Sequence, residues 1–377
     1  MTQSLQPEGE ERFWYDAADN RTTPELQPVC NNLLKRLDGV SREYDGFGRM
    51  TVRDDTHRRV TQRFSYDDEH RISRVEIDGD AEFTKAEYRY DALGRRTEKQ
   101  VWRRHARKPE RTQYAWSGLQ MVGETSDSHP DAAVHYIYTE NSYEPLARVD
   151  SHDEHADIFW YHTELNGLPD SVTDSNGDTV WRGASSAWGR SLRESTPVNW
   201  DTPQNLRFQG QYLDRETGLH YNTFRYYDPA AGCYTLMDPI GLAGGLNTYT
   251  YVVDPLGWVD PLGLLPCAKK IHALRTGGKN TIVEVRTKAE ADELLHAAFP
   301  GYQKVKGVGP QDAIGVRKKR KMDRFKEGGA YHKDYAIDPN TGRVRGHAPS
   351  DDHGTYPHIN IKRTDGVKVV INITGGL

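Results

Sequence analysis

Polar and apolar residues alternate over short stretches through most of this chain, and glycine or proline residues separate the stretches. Residues 86–90 alternate in this way, a glycine follows at Gly94, and a second polar stretch comes next. Alternation with a period of two predicts strands with one buried face, and the turn residues predict hairpins. The chain is therefore expected to be mainly β-structure.

The hairpins repeat. Tyr-Asp-x-x-Gly-Arg stands at 44–49 and 90–95, a degraded copy stands at 66–71, and Tyr114 and Tyr136 continue the series. The tyrosines are 22 to 24 residues apart, and a fixed period of this length predicts stacked supersecondary units. One hairpin cannot bury its own face, so neighbouring units must stack. We expect the Tyr-Asp pairs to serve packing and turns rather than catalysis.

This repeat resembles the YD repeat of the Rhs family. The strings at 159–169, 206–214, 217–222 and 225–229 are similar to the Rhs-associated core. The resemblance implies three domains: a YD-repeat β-sheet shell at 1–158, the core with a self-cleavage segment at 159–264, and a variable C-terminal toxin domain at 265–377.

Three Asp-Pro-x-Gly units begin at Asp238, Asp254 and Asp260. By itself this motif predicts a surface turn. The alternative is that two turns present paired carboxylates, one protonated and one ionised, to a single peptide bond. The resemblance implies this second interpretation, with Asp238 and Asp260 catalytic and the bond Leu264–Leu265 cut. The role of Asp254, in an extra unit, stays open.

Charge divides the chain at the same place. Residues 265–377 carry 21 Lys and Arg against 12 Asp and Glu, a net charge of +9, which leaves −14 on the rest of the chain. A basic tail on an acidic body indicates a nucleic-acid-directed domain, and a basic solvated surface is the alternative. The candidate phosphate contacts form one run: Arg317, Lys318, Lys319, Arg320 and Lys321.

Within the tail, helical spacing of apolar residues predicts one amphipathic helix at about 288–299, which ends at Pro300. Strands follow at 331–337, 343–347, 357–363 and 367–373, the last two joined by a hairpin turn at 364–366. A helix followed by an antiparallel sheet predicts a small α+β domain. Alternation places Ile359 and Ile361 in its core and turns Lys368 and Asn372 outward.

Four histidines lie between residues 332 and 358. Cleavage of RNA without a metal or cofactor needs a general base, a general acid and a cation for the phosphorane charge. We predict His358 and His347 as the acid/base pair, His332 as the next candidate, and Lys362 or Arg345 as the cation. In architecture the domain resembles the sheet ribonucleases of bacterial toxins, the barnase, EndoU and colicin group.

Other activities stay open. A metal-dependent DNase of the His-Asn-His type would draw ligands from Asp334, His347, Asp352 and His353, although its fold should end in a helix rather than strands. An ADP-ribosyltransferase needs a late glutamate, and Glu327 is the sole Glu after residue 300. A pure binding module is the non-enzymatic alternative. With about five repeats, the chain would also fit an inert displaced Rhs fragment.

Localisation is predicted from what the sequence lacks. The N-terminus has no basic-then-apolar signal, no stretch approaches a membrane span, and the three cysteines form no disulfide framework. The resemblance implies a toxin made in the producer cytoplasm and delivered by a type VI apparatus or VgrG-like carrier to the target-cell cytoplasm. It also implies a cognate immunity protein, expected to be acidic.

Overall fold

The computed structural model of the chain divides into two compact units, Met1–Leu265 and Pro266–Leu377. Each unit is described separately. The boundary lies beside the bond predicted to be cut. The structure describes residues 3–264 except 7, 8, 26, 27, 141, 154, 197–199, 201, 245 and 253, and in the second unit residues 274, 278, 281–285, 291, 294, 295, 298, 303, 304, 330–333, 336, 337, 344, 345, 358–362 and 367–373.

The first unit is built from antiparallel strands, which confirms the predicted β fold class. Fifteen consecutive strands form one sheet in chain order, because each hairpin pairs with the next. Two small hairpins precede it, β1 (Gln3–Gln6) with β2 (Gly9–Arg12) and β3 (Trp14–Tyr15) with β4 (Arg21–Thr22). The sheet consists of β5 (Arg36–Leu37), β6 (Val40–Tyr44), β7 (Met50–Asp55), β8 (Val60–Tyr66), β9 (Ile72–Asp78), β10 (Phe83–Tyr90), β11 (Arg96–Arg103), β12 (Glu110–Ser117), β13 (Gln120–Ser126), β14 (His129–Tyr138), β15 (Pro145–His152), β16 (His155–Thr163), β17 (Pro169–Thr173), β18 (Thr179–Ser185) and β19 (Ser191–Ser195).

The recurring residues of each repeat make the turn between paired strands. Asp45 Oδ1 accepts hydrogen bonds from the backbone N–H groups of Phe47 and Arg49, at 2.9 and 3.0 Å. The Arg49 guanidinium pairs with Asp45 Oδ2 at 2.7 Å and lies 4.7 Å from the ring centroid of Tyr66, in the next unit. Gly48 has a φ of +74°, which glycine adopts without a steric cost. The motif thus closes one turn and binds the next.

The repeat tyrosines form a second link between units. Tyr66 donates to the Met50 carbonyl at 2.7 Å, and Tyr90 donates to the Ile72 carbonyl at 2.6 Å. The predicted continuation of the series through Tyr114 and Tyr136 is wrong. Trp116 and Tyr138 occupy the equivalent positions, at the ends of their hairpins, and donate to the carbonyls of Arg96 and Met121. Because the loops differ in length, sequence spacing alone misplaced each of these two positions by two residues along its strand.

The sheet packs on a four-stranded meander formed by β20 (Tyr212–Asp214), β21 (Leu219–Asn222), β22 (Arg225–Asp228) and β23 (Cys233–Tyr234). Apolar side chains of β7–β11 bury against Leu219, Tyr221 and Tyr226 of the meander. Buried ion pairs join the same layers: Arg96 Nη1 lies 2.6 Å from Asp214 Oδ2, with both side chains fully buried. These contacts hold the meander in one orientation on the sheet.

The sheet is continuous through residues 158 and 159, where the sequence predicts a domain boundary. β16 spans this point and pairs with β15 and β17, because the core strings continue the same alternation as the repeats. The described part of the chain contains two short 3-10 helices, at Cys30–Asn32 and Gly241–Gly244. Among the residues that the structure describes, no helix is long and apolar enough to span a membrane.

The second unit contains a mixed five-stranded sheet rather than the predicted antiparallel one. Its order is β24-β30-β29-β26-β25, and β24–β30 and β25–β26 are parallel. The predicted 357–363 and 367–373 hairpin is confirmed, whereas the predicted 331–337 strand is divided between two sheets. The strands are β24 (Thr281–Val285), β25 (Gln303–Lys304), β26 (Ala330–Lys333), β27 (Ala336–Ile337), β28 (Val344–Arg345), β29 (His358–Lys362) and β30 (Lys368–Ile373).

Ile359 and Ile361 are buried, as predicted. Asn372 is also buried, at 2% exposure, so its predicted outward position is wrong. β30 lies between β24 and β29 and is buried on both faces at its described residues, since Val370 and Ile371 are both covered. The predicted helix coincides with helical backbone at Ala291, Leu294, Leu295 and Ala298, all buried.

Candidate functional site

The three Asp-Pro-x-Gly units fold as turns, and they differ in what their aspartates contact. In the first two, the aspartate caps its own turn: Asp238 Oδ1 accepts from the Ile240 N–H at 3.0 Å, and Asp254 Oδ1 accepts from the Leu256 N–H at 3.1 Å. Asp260 Oδ1 instead accepts from the backbone N–H of Leu264, at 3.1 Å. The third unit therefore holds the residue that precedes the predicted scissile bond.

Asp238 and Asp260 converge on one guanidinium. Arg225 Nη2 lies 3.1 Å from Asp238 Oδ2 and 3.5 Å from Asp260 Oδ2. The three side chains are almost completely buried, at 0%, 3% and 4% exposure. Asp254 is half-buried and belongs to a turn whose Pro255 carbonyl accepts from Asn166. The structure thus places together the two aspartates that the family resemblance selected.

The meander supplies the remaining contacts of the pair. Arg225 begins β22, and Asn222 and Tyr234 end the two neighbouring strands. Tyr234 donates to Asp260 Oδ2 at 2.7 Å, and its ring lies 3.5 Å from the Arg225 guanidinium. Asn222 Nδ2 donates to the Tyr234 hydroxyl and to the Asp260 carbonyl, each at 2.9 Å. The loop bearing Asp260 is therefore fixed by both its side chain and its backbone.

Hydrogen bonds also fix the backbone around Gly263. Arg225 Nε donates to the Gly263 carbonyl, and Phe224 N–H donates to the Leu262 carbonyl at 3.3 Å. Gly263 has a φ of +70°, and a Cβ there would lie 2.7 Å from the Asn222 carbonyl oxygen. Only glycine fits this position without displacement. The chain is thus drawn tightly past the carboxylate pair just before Leu264.

Burial sets the electrostatics of this cluster. Removal from water raises the pKa of Asp260 above its ordinary value, and the neighbouring Asp238 adds to this, while Arg225 and the Tyr234 hydroxyl act in the opposite direction. Burial and the Asp260 charge raise the pKa of Tyr234 well above its usual range, so this phenol stays protonated. A carboxylate pair of this kind can hold one proton and supply both an acid and a base.

In the second unit, the strand register brings part of the predicted toxin site onto one sheet face. His332 pairs with Asn360, and His358 and Lys362 lie two residues to either side of Asn360 on β29. Residues two apart on a strand share a face, as do directly paired residues. Arg345 lies in the separate β27–β28 sheet. His347, His353, Asp334, Asp352 and the run Arg317–Lys321 lie outside the described residues.

Glu284, which the sequence analysis missed, shares this face, and so does Asn372. Glu284, Asn372 and His358 form one row across β24, β30 and β29. Glu284 is exposed, and Asn372 Oδ1 is buried without a hydrogen-bond partner among the described atoms. The alternation of polar and apolar residues in 281–285 places Glu284 on the polar face of its strand. Its position beside Asn372 depends on the parallel pairing of β24 with β30. Among the described residues there is no cluster of three or more His, Cys, Asp or Glu able to hold a metal.

Asn222 and Arg225 were also missed, although each stands inside a string that carries the family resemblance, and Tyr234, five residues after the last of these strings, was missed with them. The available signal was an arginine at the start of an otherwise aromatic stretch, 225–227. A buried cation needs a buried anion, and the aspartates of all three Asp-Pro-x-Gly turns follow within 35 residues. Sequence spacing does not say which of the nearby carboxylates the arginine meets.

Comparison with known proteins agrees with this architecture. The family model described as "RHS protein" matches residues 158–195. The chain is 37% identical over 282 residues to the double-stranded DNA deaminase toxin A of Burkholderia cenocepacia, covering 67% of this chain and 19% of that protein. It is 31% identical over 271 residues to the probable deoxyribonuclease RhsA of Dickeya dadantii, covering 69% and 18%.

A solved structure of the Photorhabdus luminescens Tc holotoxin pore has the same fold over 68% of this chain and 13% of that chain, with a TM-score of 0.52 and 19% identity. The chain spans about a fifth of the length of the two curated relatives. Their names give different activities, so the shared fold does not by itself assign one. With the repeat architecture, the family match and these relatives taken together, the chain belongs to the Rhs family of YD-repeat polymorphic toxins.

Proposed function

We propose that this chain is part of an Rhs toxin used in competition between bacteria, and that it cuts itself between Leu264 and Leu265 to release a nuclease. The observation that carries the self-cleavage is the convergence of Asp238 and Asp260 on Arg225, with the Leu264 N–H bound to Asp260. A turn-forming role alone does not require two buried carboxylates at one cation.

The chemistry follows from the protonation of the pair. Asp260, with its raised pKa, is the proton donor, and Asp238 is the base. A water molecule adds to the Leu264 carbonyl carbon and gives its proton to Asp238. Asp260 then protonates the nitrogen of Leu265 as the peptide bond breaks. The products are a Leu264 carboxyl group and a free amine on Leu265, and each chain reacts once.

Isosteric variants test this proposal. Asp238→Asn and Asp260→Asn keep the size of the side chain and remove the titrating group, so each should leave the chain at full length. Asp254→Asn is the matched control, because the same change in the neighbouring unit leaves both proposed catalytic groups intact. A fragment with the mass of residues 265–377 should appear in wild type and in Asp254→Asn alone. Cleavage in Asp260→Asn would overturn the proposal.

For the released part we propose a metal-independent ribonuclease. Its support is the net charge of +9 on residues 265–377 and the common sheet face of His332, His358 and Lys362. Diagonal neighbours on adjacent strands are about 7–8 Å apart, a separation suited to two histidines that act on one phosphodiester. We therefore propose His358 and His332 as the acid/base pair and Lys362 as the cation, with His347 retained as an alternative.

A metal-dependent DNase is the second candidate, because one relative is named as a probable deoxyribonuclease. Purified wild type is incubated with total RNA and with plasmid DNA, with and without EDTA. RNA loss that survives EDTA and falls by about 10² or more in His358→Ala and His332→Ala supports the ribonuclease. His162→Ala, on the exposed side of β16, is the control. DNA loss abolished by EDTA would instead assign the metal enzyme.

Partners and delivery belong to the same proposal. An acidic immunity protein would neutralise the basic tail, and a type VI apparatus or VgrG-like carrier would move the toxin into the target-cell cytoplasm. Co-expression of the wild-type chain with acidic proteins encoded next to its gene tests whether one of them protects the cells from the toxin. If the tail is inert, expression of the wild-type chain should cause no growth defect. If it is an ADP-ribosyltransferase, expression should be toxic without loss of nucleic acid.

A further inference from the structure

A cavity of about 400 Å³ lies between strands β10–β14 of the large sheet and the start of the meander, and it shares no lining residue with the self-cleavage cluster. Its wall includes Glu124 of β13 and Tyr212 of β20. Ligand cavities in proteins have volumes of about 300–1,000 Å³, so this cavity has room for a small organic molecule. We propose that it binds an aliphatic polyamine, with one ammonium group of the ligand paired to Glu124.

Glu124 is a buried carboxylate without a cation. Its exposure is 8%, and no arginine or lysine among the described residues lies within ion-pair distance of it. Every other buried carboxylate that the structure describes pairs with an arginine or a lysine. The arginine and lysine side chains of the cavity wall each pair with a different carboxylate, at 2.9 to 3.4 Å: Arg58, Lys99, Arg103 and Arg215. Buried charges in proteins are paired, so the wall lacks one cation that a ligand can supply.

Hydrogen bonds orient the Glu124 carboxylate. Tyr136 donates to Oε1 and Tyr212 donates to Oε2. Asn205 Nδ2 donates to the Tyr212 hydroxyl at 2.9 Å and so fixes the direction of that hydroxyl. Burial, and next the charge of Glu124, raises the pKa of both phenols well above its usual range, so they remain donors. Each carboxylate oxygen has a second lone pair, so the carboxylate can still accept from an ammonium group.

The rest of the wall suits an aliphatic chain that ends in a second ammonium group. Val101 and Val134 contribute buried apolar surface. Glu82 and Glu110 both pair with Arg103, and neither pairs with another arginine or lysine in the described part of the chain. Two carboxylates on one cation leave an excess negative charge at this end of the cavity.

The strand register gives the distance between the two negative sites. Glu124 pairs with Tyr114, and Glu110 lies four residues before Tyr114 on β12. Residues two apart on a strand share a face, so Glu110 and Tyr114 lie on the same side of the sheet. At about 3.4 Å per residue, the two carboxylate positions are about 14 Å apart along the strand. An extended polyamine spans such a distance, whereas an inorganic cation would contact one site alone.

Spermidine is the probe, titrated calorimetrically into the purified full-length chain. Wild type should bind it saturably, and Glu124→Gln, which keeps the size of the side chain, should bind it about thirtyfold or more weakly. Glu140→Gln is the matched control, because it removes the same charge from an exposed turn beyond the end of β14, and its affinity should equal that of wild type. Magnesium chloride at the concentration of spermidine should not displace the amine.

Absence of saturable binding to wild type, or wild-type affinity in Glu124→Gln, would overturn the proposal. Equal losses in Glu124→Gln and Glu140→Gln would also overturn it, since they indicate unspecific attraction to an acidic surface. Displacement by magnesium would assign an inorganic cation instead. If thermal unfolding shows that Glu124→Gln does not fold, Glu110→Gln decides the question: it removes a partly exposed carboxylate from the other end of the cavity and should weaken binding by about twofold to fivefold, and an unchanged affinity would refute the polyamine site.

Discussion

The glycines of the three Asp-Pro-x-Gly turns provide a graded test of the proposed self-cleavage. At Gly263 the backbone has a φ of +70°, and an added Cβ would meet the Asn222 carbonyl oxygen at 2.7 Å and the Arg225 Cβ at 3.3 Å. Gly241 has a φ of +59° with nothing within 4 Å, and Gly257 has neither a left-handed φ nor a near contact. Alanine therefore meets both a left-handed backbone and a close contact at Gly263, a left-handed backbone alone at Gly241, and neither at Gly257.

The magnitudes follow from these environments. A left-handed conformation costs an alanine about 1–2 kcal/mol, and overpacking against backbone adds about 1–3 kcal/mol. Gly263→Ala should thus cost about 2–5 kcal/mol, relieved by movement of the turn away from Arg225. At a factor of ten per 1.4 kcal/mol, self-cleavage should slow by about thirtyfold to a few thousandfold.

Gly241→Ala should slow cleavage by about fivefold to thirtyfold at most, from the backbone penalty alone, and Gly257→Ala should leave the rate unchanged. The assay is pulse-labelled cell-free synthesis of the full chain, with the rate of fragment release measured by electrophoresis. A cooperative unfolding transition in each of the three variants excludes a general loss of structure. Equal rates for Gly263→Ala and Gly257→Ala would refute the argument that a tight turn presents the scissile bond.

Three further predictions concern the shell. Tyr66→Phe removes the hydrogen bond to the Met50 carbonyl and should lower the free energy of unfolding by about 1 kcal/mol, measured by urea titration. Asp228→Asn leaves buried Arg42 without its anion and should lower the free energy of unfolding by about 3–5 kcal/mol. Because Arg42 and Arg53 lower the pKa of Asp228 to about 2, wild type should lose about 2 kcal/mol of this free energy as the pH falls from about 4 to 2. Absence of this acid-dependent loss in Asp228→Asn would confirm that Asp228 is its source. Arg59 has a φ of +56°, so Arg59→Gly should stabilise by about 1 kcal/mol while Arg59→Ala does not, as judged by thermal unfolding.

The turns and strands that the sequence predicted correctly depend mostly on interactions between residues close together in the chain. Tyr-Asp-x-x-Gly-Arg encodes a turn within six residues, since its Asp caps the turn, its Gly takes the left-handed φ and its Arg returns to the Asp. Alternation of polar and apolar residues likewise predicted the strands and the hairpin of β29 and β30. The spacing failed at Tyr114 and Tyr136 because the count of residues in a loop does not determine which aromatic residue ends the hairpin.

The sequence by itself determined a repeating β-structure and the three Asp-Pro-x-Gly turns, and its resemblance to the Rhs family selected two of their aspartates for testing. Tertiary structure decided which partners those residues have. Arg225 meets Asp238 and Asp260, residues 13 and 35 positions later, because the meander folds both turns back onto one buried guanidinium. Glu284 joins the row of His358 because β24 pairs in parallel with the last strand of the chain. Such contacts depend on burial and on pairing between distant strands, and neither is set by local spacing.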